Sequence, residues 1–472
     1  RLETIFNETM NRFVAPIYDG SHLELPGLSP AFTMRPHQKN AIWRGVQEGT
    51  VFFAHAVGAG KAQPLDAKIL TPKGWRKMGD IAVGDEVIAV DGSPSVVTGV
   101  FPQGEKDIVR VTFSDGSSTE CCEEHLWLTQ TYEERSYSQK GTKAGKVWAC
   151  AKAQVRSTEE IRQTLVAPHL LAKNHSIPLV SIVQFSRQEV PLDPYILGVL
   201  LGDGNISQQG VRISSQDEEI INACLEVLPP GVKLESVLSE HRCPTWTITQ
   251  IKHVGFGKNK SRNPVRDALI DMGLQGSVSH TKYIPTLYKF NDQHIRLAIL
   301  QGLMDTDGWV EQNGSVYFGS SSKQLADDVL FLVQSLGGVA QRSIKHPTYT
   351  YKGEKKQGRP SHKLCICFAP DIMPFRLSRK RLAVIPKTKY QPVRYIVAIE
   401  PVGIKEAQCI AVAHPSQLYV TDDFIVTHNT AVMAGTAMEL RRIGQARKPV
   451  ILVQNNLITQ WPAEFLRYYP AA

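Results

Sequence analysis

The sequence lacks the features that mark membrane-spanning or secreted proteins. No apolar run approaches the roughly 20 residues of a membrane-spanning helix, and the opening Arg-Leu-Glu-Thr-Ile-Phe has no signal-peptide stretch. The eight cysteines are neither densely nor evenly spaced, and they form no paired zinc-ligand motif; Cys365-x-Cys367 is typical of strand alternation. We therefore expect a soluble cytoplasmic protein with no membrane partner.

Length and charge leave room for several activities. A chain of 472 residues is too long for one typical core, and about 100–200 residues per domain predicts roughly three units. The formal net charge of +8 favours a polyanionic partner, although many proteins with such an excess never bind nucleic acid. Charge alone therefore does not assign a function.

A phosphate-binding loop is interrupted. The apolar run 51–57 predicts a buried strand that leads into Gly58-Ala59-Gly60-Lys61. Such a loop needs glycines to wrap the phosphates, a lysine, and a Ser or Thr for magnesium. Lys61 is followed instead by Ala62-Gln63-Pro64, and the helix-forming run headed by the required Thr430 comes only much later. Joining Lys61 to Thr430 restores strand, Gly-Ala-Gly-Lys-Thr and helix.

The joined flanks, residues 1–61 and 430–472, resemble a Swi/Snf-type member of the superfamily 2 helicases. Arg35-Pro36-His37-Gln38 is similar to the adenine-reading motif of that family, and the run 449–453 followed by Trp461 is similar to its next strand and helix. The resemblance implies an α/β P-loop fragment that binds ATP and Mg²⁺ after joining, and it places the nucleotide-binding residues at Gln38, Gly58, Gly60, Lys61 and Thr430. An incomplete ATPase is expected, since no Asp-Glu motif follows.

The intervening segment resembles an intein, a self-excising protein element. Its opening carries Asp66 to Trp75, Gly79-Asp80-Ile81 and Val83 to Val87, and its end reads Leu418 to Asn429. Short alternating runs around 87–89 and 108–112, separated by Asp91-Gly92-Ser93-Pro94 and Gly104-Glu105, predict a β-rich unit. The resemblance implies an all-β Hint-type splicing domain that excises residues 62–429, with junctions at Lys61–Ala62 and Asn429–Thr430.

The last residues of the segment fit the chemistry that cleaves the downstream junction. An asparagine carboxamide nitrogen can attack its own backbone carbonyl, which forms a succinimide and cleaves the following bond, and a neighbouring imidazole can move the proton. Asn429 and His428 fit these roles. Thr430 offers a hydroxyl that can hold the upstream segment as an ester before it shifts to the amine. No cofactor is expected for splicing.

Ala62 stands where inteins usually carry a Cys or Ser nucleophile. Either a catalytic cysteine has been replaced, or the chain is similar to class 3 inteins, which use an internal cysteine. The marks of that class fall on His125-Leu126-Trp127, Cys409 and Thr427. The second reading implies that Cys409 attacks the Lys61 carbonyl while His125 protonates the breaking bond. Cys122 stands where inteins usually have Thr. The chain has no clear equivalent of the usual late histidine, for which His414 is a candidate without an assigned role.

Two repeats lie between the splicing segments. Ile196 to Gly204 and Leu300 to Gly308 share an apolar helix, small residues, an acid and a glycine, and they resemble the two LAGLIDADG motifs of homing endonucleases. Small residues at Gly198, Gly202, Gly302 and Thr306 would let two helices pack closely. The resemblance implies that Asp203 and Asp307 bind Mg²⁺ and cleave the two strands of DNA that lacks the insert.

Each motif precedes a strand and a helix, which predicts one αββαββ half per motif and a monomeric pseudo-dimer. We expect DNA phosphates to meet a basic stretch, and Lys323 and Lys363 are candidates for a third catalytic group. The members of the basic stretch are Lys252, Lys258, Lys260, Arg262, Arg266, Lys282 and Lys289.

The predicted molecule is therefore multidomain. An α+β LAGLIDADG endonuclease is inserted in an all-β splicing domain, between fragments of an α/β P-loop helicase. The predicted segments are the host fragments 1–61 and 430–472, the splicing regions 62–185 and 386–429, and the endonuclease 186–385. The alternative is an intact ATP-dependent DNA motor with an inserted DNA-binding domain.

Overall fold

The structure is a computed structural model. The residues that it describes are 18–24, 26, 36–48, 62–139, 153–167, 172–207, 210–237, 243–251, 263–351, 354–385 and 392–428. The chain divides into two units, one of residues 1–59 with 430–472 and one of residues 60–429. In the described part of the first unit, helix Pro36–Glu48 buries Ile42 and Val46.

The second unit contains the remaining described elements. The strands are β1 Gln63–Pro64, β2 Lys68–Thr71, β3 Gly74–Lys77, β4 Glu86–Ile88, β5 Pro94–Phe113, β6 Ser118–Cys122, β7 Leu126–Thr129, β8 Gln154–Ser157, β9 Ser176–Ile177, β10 Gly204–Asn205, β11 Arg212–Ser214, β12 Val232–Val237, β13 Thr245–Gln250, β14 Gly308–Val310, β15 Val316–Ser320, β16 Val339–Lys345, β17 Thr348–Tyr351, β18 Glu354–Gln357, β19 Ser361–Cys367, β20 Arg394–Val412, β21 Leu418–Thr421 and β22 Ile425–His428. With α1 as Pro36–Glu48, the helices that follow are α2 Tyr132–Gln139, α3 Thr158–Gln163, α4 Pro194–Leu201, α5 Glu218–Glu226, α6 Pro264–Asp271, α7 Thr286–Lys289, α8 Gln293–Asp307, α9 Lys323–Ser335 and α10 Ser378–Ala383. No helix in these ranges is long and apolar enough to cross a membrane.

Strands from the two ends of this unit form one β-domain. One sheet has the order β1-β20-β5-β4, with β6 added to β5 and β9 to β20, and the other has the order β3-β2-β21-β22-β7-β8. The long strands β5 and β20 pair antiparallel along most of their length. Since β20 to β22 come from the end of the unit and β1 to β9 from its beginning, neither segment completes the two sheets alone.

The region around Gly104 differs from the sequence-based expectation of short separate strands. β5 runs without interruption from Pro94 to Phe113. Gly104 has φ of +65°, and the register with β20 shifts between Ala407 and Gln408 at this point. Glycine at positive φ forms a bulge that bends a strand without ending it. Asp91-Gly92-Ser93, in contrast, forms the predicted turn between β4 and β5.

Residues 194–383 form two similar halves. Each half has the order helix, two strands, helix, two strands and helix; the second adds the hairpin β17–β18. The sheets have the matching orders β10-β11-β13-β12 and β14-β15-β19-β16. The αββαββ prediction is confirmed. Asp193 caps α4 ahead of Pro194, and Asp292 caps α8 by accepting the N–H group of Ile295.

Helices α4 and α8 pack against each other at their glycines. A Cβ on Gly198 would overlap the Ile299 carbonyl oxygen, and one on Gly302 would overlap the Tyr195 carbonyl oxygen. A Cβ on Gly202 would overlap the Thr306 hydroxyl. The prediction that small residues allow this close approach is confirmed, and both helices end next to each other at Asp203 and Asp307.

Aromatic side chains join the β-domain to the two-half domain. Phe331 of α9 lies 5.1 Å from the ring of Phe424, which in turn lies 5.2 Å from Trp75. On its other side Phe331 meets Phe290 at 4.9 Å, and Phe290 meets Phe185 at 5.3 Å. All are edge-to-face contacts, an arrangement that aromatic pairs favour.

Candidate functional site

Ala62, the first residue of the predicted excised segment, is held inside the β-domain. It is fully buried, and its N–H group donates to Cys122 Sγ at 3.1 Å. In return the Cys122 N–H group donates to the Ala62 carbonyl oxygen at 2.9 Å. Burial raises the pKa of the Cys122 thiol. Cys122 therefore stays protonated near neutral pH and fixes the position of the Ala62 nitrogen.

The structure brings His125, Trp127 and Thr427 together. His125 Nε2 contacts Thr427 Oγ1, and the rings of His125 and Trp127 lie 5.1 Å apart. Trp127 Nε1 donates to Thr158 Oγ1 at 2.9 Å, and that hydroxyl donates to the His125 carbonyl oxygen at 3.1 Å. Thr158 starts α3, which has a capping box of Ser157 and Glu160. The His125 backbone also donates to the Cys122 carbonyl oxygen, so this group adjoins Ala62.

Cys409 lies in β20, beside the strand that carries the upstream junction. Gln63 pairs with Gln408 and Pro64 with Ala407, so the antiparallel register continued by one residue places Ala62 opposite Cys409. Cys409 is only 1% exposed. A partner for this thiol must therefore come from within the β-domain.

Tyr419 is also buried inside the β-domain. Tyr419 donates from its hydroxyl to Gln63 Oε1 at 2.9 Å. Burial raises the pKa of Tyr419 far above its ordinary value, and the thiols of Cys409, Cys121 and Cys122 raise it further. Tyr419 therefore stays neutral next to the upstream junction.

Several predicted residues lie outside the described part of the chain. These are Gly58, Gly60, Lys61, Asn429, Thr430, Lys252, Lys258, Lys260 and Arg262, and the description of Gln38 and His428 stops at the backbone. The His428 backbone pairs with Leu418 and Leu126, which brings the end of β22 beside the segment of His125. His414 is engaged elsewhere, by Ser416 Oγ at 2.7 Å and Asp91 Oδ2 at 3.3 Å.

In the two-half domain, Asp203 and Asp307 form a carboxylate pair. Burial, and then the charge of Asp203, raise the pKa of Asp307 to about 6. Partial burial also raises the pKa of Asp203, although its side chain opens to solvent. A cation would relieve the repulsion of such a pair.

Two lysines that sequence reasoning did not assign to this site flank the carboxylates. The Lys282 ammonium donates to the carbonyl oxygens of Leu200, Gly202 and Gly204 at 2.8–3.0 Å. Lys380 donates in the same way to the carbonyl oxygens of Met304, Asp305, Thr306 and Gly308. Burial lowers the pKa of Lys282 to about 8, while Asp307 and Asp203 raise it. Each lysine thus neutralises the negative end of one of the paired helices.

The segment that carries Lys380 is fixed from both halves. Asp305 accepts the backbone N–H groups of Arg376 and Leu377 at 3.1–3.2 Å, just before α10. The Tyr195 hydroxyl of the other half donates to Asp305 Oδ2 at 2.9 Å. The sequence signal for both lysines was their position in the last segment of each repeat.

The structure gives other surroundings to the lysines predicted as a third catalytic group or as phosphate ligands. Lys323 binds Asp327 at 2.9 Å, and Lys363 binds Glu311 at 3.1 Å above the Tyr317 ring. Neither is bound to the carboxylate pair. Lys282 and Lys289 were expected on a phosphate-binding surface, but Lys282 is buried and Lys289 pairs with the buried Asp328 at 2.6 Å. This part of the prediction is wrong, because the sequence does not show which lysines turn inward.

The donor set at Asp203 and Asp307 fits Mg²⁺ in the presence of DNA. The described residues contain no group of three or more His, Cys, Asp or Glu side chains that could hold a metal ion by themselves. Mg²⁺ is commonly bound by one or two carboxylates, with water and substrate phosphate completing its coordination. A carboxylate pair at the ends of two helices matches that pattern.

Comparison with known proteins shows what parts of the chain are similar to. Residues 294–368 match the model of the LAGLIDADG-like domain. The chain is 30% identical over 391 residues to the replicative DNA helicase DnaB of Mycobacterium intracellulare, covering 81% of this chain and 61% of that relative. It thus spans about three-fifths of the relative's length.

Solved structures include splicing and endonuclease proteins. The Msm DnaB1 intein splicing domain bound with zinc is 31% identical, and the match covers 21% of this chain and 74% of that chain with a TM-score of 0.15. The homing endonuclease I-DmoI, in mesophilic variants, is 13% identical, covering 41% and 91% with a TM-score of 0.24. Taken with the family match, the sequence similarities support an intein with a LAGLIDADG endonuclease domain.

The host assignment needs correction. The relatives found are DnaB helicases, and the Swi/Snf-type assignment is not supported. The residues behind that assignment are few, and a Gly-x-Gly-Lys-Thr loop is common to many nucleotide-binding proteins. Such a motif identifies an ATPase more readily than it separates helicase families.

Proposed function

We propose that residues 62–429 excise themselves and join Lys61 to Thr430, and that the inserted domain cleaves double-stranded DNA. The observation that carries the splicing proposal is the position of Ala62. Its nitrogen is held by Cys122, its strand register leads to Cys409, and its neighbour His125 contacts Thr427.

The first step breaks the Lys61–Ala62 bond. The Cys409 thiolate attacks the Lys61 carbonyl carbon, a thioester forms, and the Ala62 nitrogen leaves with a proton. His125 is the donor that fits, because it adjoins the hydrogen-bonded pair of Ala62 and Cys122. Thr427 and Trp127 hold the imidazole on two sides.

The later steps use the downstream junction. The Thr430 hydroxyl attacks the thioester, which gives an ester and releases the Cys409 thiol. The Asn429 carboxamide nitrogen then attacks its own carbonyl carbon, so the Asn429–Thr430 bond breaks and a succinimide forms. Finally the free Thr430 amine takes the acyl group from its own oxygen. The pairing of His428 with Leu126 supports the proximity that these transfers need.

Mass analysis after incubation of the purified chain tests splicing. The expected products are a ligated protein of residues 1–61 and 430–472 and a free protein of residues 62–429. A DNA motor with an inserted binding domain would stay at full length and would contradict the proposal. In Asn429→Ala the succinimide cannot form, and we expect a branched ester on Thr430 that hydroxide releases.

For the inserted domain, the carboxylate pair carries the proposal. Asp203 and Asp307 would hold Mg²⁺, which activates water and stabilises the leaving oxygen. Lys282 and Lys380 keep positive charge beside the pair and fix the two helix ends. The expected substrate is DNA that encodes the uninterrupted Gly-Lys-Thr junction, because the insert splits that site.

Cleavage of such a duplex, compared with the same DNA carrying the insert, is the test. Asp203→Asn and Asp307→Asn should each abolish double-strand cleavage while splicing continues, since the carboxylates belong to a different domain from Ala62 and Cys409. Equal cleavage of both duplexes would count against a homing role. Loss of splicing in a folded Asp307→Asn variant would count against separate sites.

For the joined host, we propose an ATP-dependent helicase that binds nucleotide and Mg²⁺ through the restored loop at Lys61 and Thr430. The support is the similarity to DnaB helicases together with the loop sequence. Nucleotide binding by the ligated product, absent from the unspliced chain, is the corresponding measurement.

A further inference from the structure

We propose that Gln63 is a positioning residue that holds the upstream junction in place for attack by Cys409. This inference rests on the proposed splicing function and deepens it. Gln63 directly follows Ala62, and it is fully buried in the β-domain. A buried amide is costly unless its polar groups are hydrogen-bonded, and an apolar side chain would fill the same space without that cost. Packing alone therefore does not explain an amide at this position.

The backbone of β1 gives the upstream junction few contacts with β20. The strand consists of two residues, Gln63 and Pro64. Proline has no N–H group to donate to a neighbouring strand. A misplacement of about 1 Å at a reacting bond can lower a rate about a hundredfold. A further restraint on this short strand would therefore favour attack by Cys409 on the Lys61 carbonyl carbon.

The Gln63 side chain supplies that restraint through β21 and β6. Its Oε1 atom accepts the Tyr419 hydroxyl at 2.9 Å, and its Nε2 atom donates to Thr421 Oγ1 at 3.0 Å and to Thr119 Oγ1 at 3.2 Å. All three partners are buried. The amide thus uses its oxygen and both N–H groups inside the protein. These hydrogen bonds hold the side chain in one orientation, and they hold β1 with it.

The same network reaches the turn that precedes the last strand. Thr119 Oγ1 donates to Asp422 Oδ2 at 2.7 Å, and Asp422 Oδ1 accepts the Lys68 N–H group at 3.0 Å. Asp422 directly follows β21, and the next strand, β22, carries Thr427. Gln63 therefore connects the strand of the upstream junction with the turn before the strand of the downstream junction.

A positioning residue and a merely structural one differ in which cleavage they affect. Loss of a structural hydrogen bond destabilises the β-domain and slows both cleavages. Loss of a positioning contact slows the attack of Cys409 on the upstream junction. Cyclisation of Asn429 joins atoms of one residue and needs no contact with β1, so it should continue unchanged.

Two background variants separate the two cleavages. In Asn429→Ala/Thr430→Ala the later steps are blocked, and the thioester on Cys409 should accumulate. Hydroxylamine attacks that thioester, which releases the upstream host fragment as a hydroxamate and restores the thiol. In Cys409→Ala no thioester can form, and cyclisation of Asn429 should release the downstream host fragment. Mass analysis over time gives one rate for each background.

Gln63→Met keeps the length of the side chain and removes its hydrogen-bonding groups. We expect the rate of upstream release to fall about tenfold or more, while the rate of downstream release stays at that of the Cys409→Ala background. Thr421→Val removes one partner of the amide and should act in the same direction. Because both substitutions break one contact, their combined effect should be smaller than the product of the two.

Thr71→Val is the matched control for Thr421→Val. Both threonines are buried in the same sheet, and each hydroxyl donates to a backbone carbonyl oxygen, of Gly74 at 2.6 Å and of Lys68 at 3.0 Å. The control should lower the unfolding temperature to a similar extent and leave upstream release unchanged.

Two results would overturn the inference. One is an upstream rate in Gln63→Met equal to that of its background, and the other is equal slowing of both cleavages. If Gln63→Met does not fold, Thr421→Val against Thr71→Val decides by the same two rates. Absence of upstream release by the Asn429→Ala/Thr430→Ala background itself would instead refute the splicing mechanism on which the inference depends.

Discussion

At the scale of single residues, the question that Ala62 raises is where the first nucleophile lies. Cys409 is the cysteine in the strand opposite Ala62, and it is buried. We expect the protein as written to splice and Cys409→Ser to stop it, because a hydroxyl is far less acidic than a thiol. Mass analysis of both proteins measures this.

The control is Ala62→Cys. If a cysteine had been replaced at this position, restoring it would rescue splicing in the Cys409→Ser background. Full splicing by Cys409→Ala with Ala62 unchanged would contradict the assigned role. Cys122→Ser, which keeps a small polar atom beside the Ala62 nitrogen, tests whether that hydrogen bond positions the junction.

Asp307 gives a pH dependence with a definite sign. Its pKa is raised to about 6 by burial and by Asp203, with Lys282 and Lys380 opposing. Between about pH 4 and 6 the native carboxyl keeps a proton that the unfolded chain releases, so without metal the free energy of unfolding falls as pH rises through this range. The loss approaches the order of 2 kcal/mol above pH 6.

Denaturant unfolding at several pH values in the presence of a chelator checks this. Asp307→Asn should flatten the profile and be more stable than the parent at pH 7. Mg²⁺ should stabilise the parent more than the variant. A variant with the parent's slope between pH 4 and 6 would show that Asp307 is not the group responsible.

The residues that sequence reasoning found and missed differ in a physical respect. His125, Trp127, Thr427 and Cys409 were predicted from motif positions that name them directly. Lys282 and Lys380 act from segments remote from the helices whose carbonyl groups they bind. Burial also reversed the expected role of Lys282, since a lysine in a basic stretch looks like a surface residue when only its neighbours in sequence are known.

At the scale of elements, the α4–α8 pair positions the carboxylates. We expect Gly302→Ala to destabilise the inserted domain by about 3 kcal/mol and to impair cleavage, since the new Cβ would overlap the Tyr195 carbonyl oxygen. Thermal unfolding and DNA cleavage measure the two effects.

Gly210→Ala is the matched control. A Cβ there has Arg212 Nε, at 3.9 Å, as its nearest contact among the described atoms. Its stability should stay within about 1 kcal/mol of the parent. Equal stability of the two alanine variants would mean that the helices can separate without cost.

The two repeated helices were predictable because glycines and acids recur at corresponding positions in the sequence. The long strands were harder to predict from the sequence. Gly104-Glu105 has the composition of a turn, yet pairing with β20 across the whole length of β5 turns this glycine into a bulge. The partner strand lies far along the chain, and local sequence carries no information about it.

At the scale of the whole molecule, Phe331 links the inserted domain to the β-domain through Phe424 and Phe290. We expect Phe331→Ala to lower the free energy of unfolding by about 2 kcal/mol, less than for a fully buried ring because Phe331 is partly exposed. Calorimetry should then show the two domains unfolding at more widely separated temperatures than in the parent.

The exposed Leu382→Ala, at 87% exposure, is the control and should change little. Unchanged unfolding of Phe331→Ala would show that the aromatic contacts do not couple the domains. The interrupted loop allowed the sequence to predict an insertion, whereas this contact between the inserted domain and its neighbour was not predictable from either motif set.

The same aromatic contact has a consequence for any shortened form of the protein. Ile177 pairs with Arg394, so the ends of the β-domain around residues 178–393 already lie side by side and a short connection could close the gap. Removing the inserted domain would nevertheless uncover Phe424, which contacts Phe331 in the full chain and packs against Trp75 of the β-domain. A contiguous apolar patch of this kind promotes aggregation. We therefore expect a miniaturised version to need polar replacements on that face.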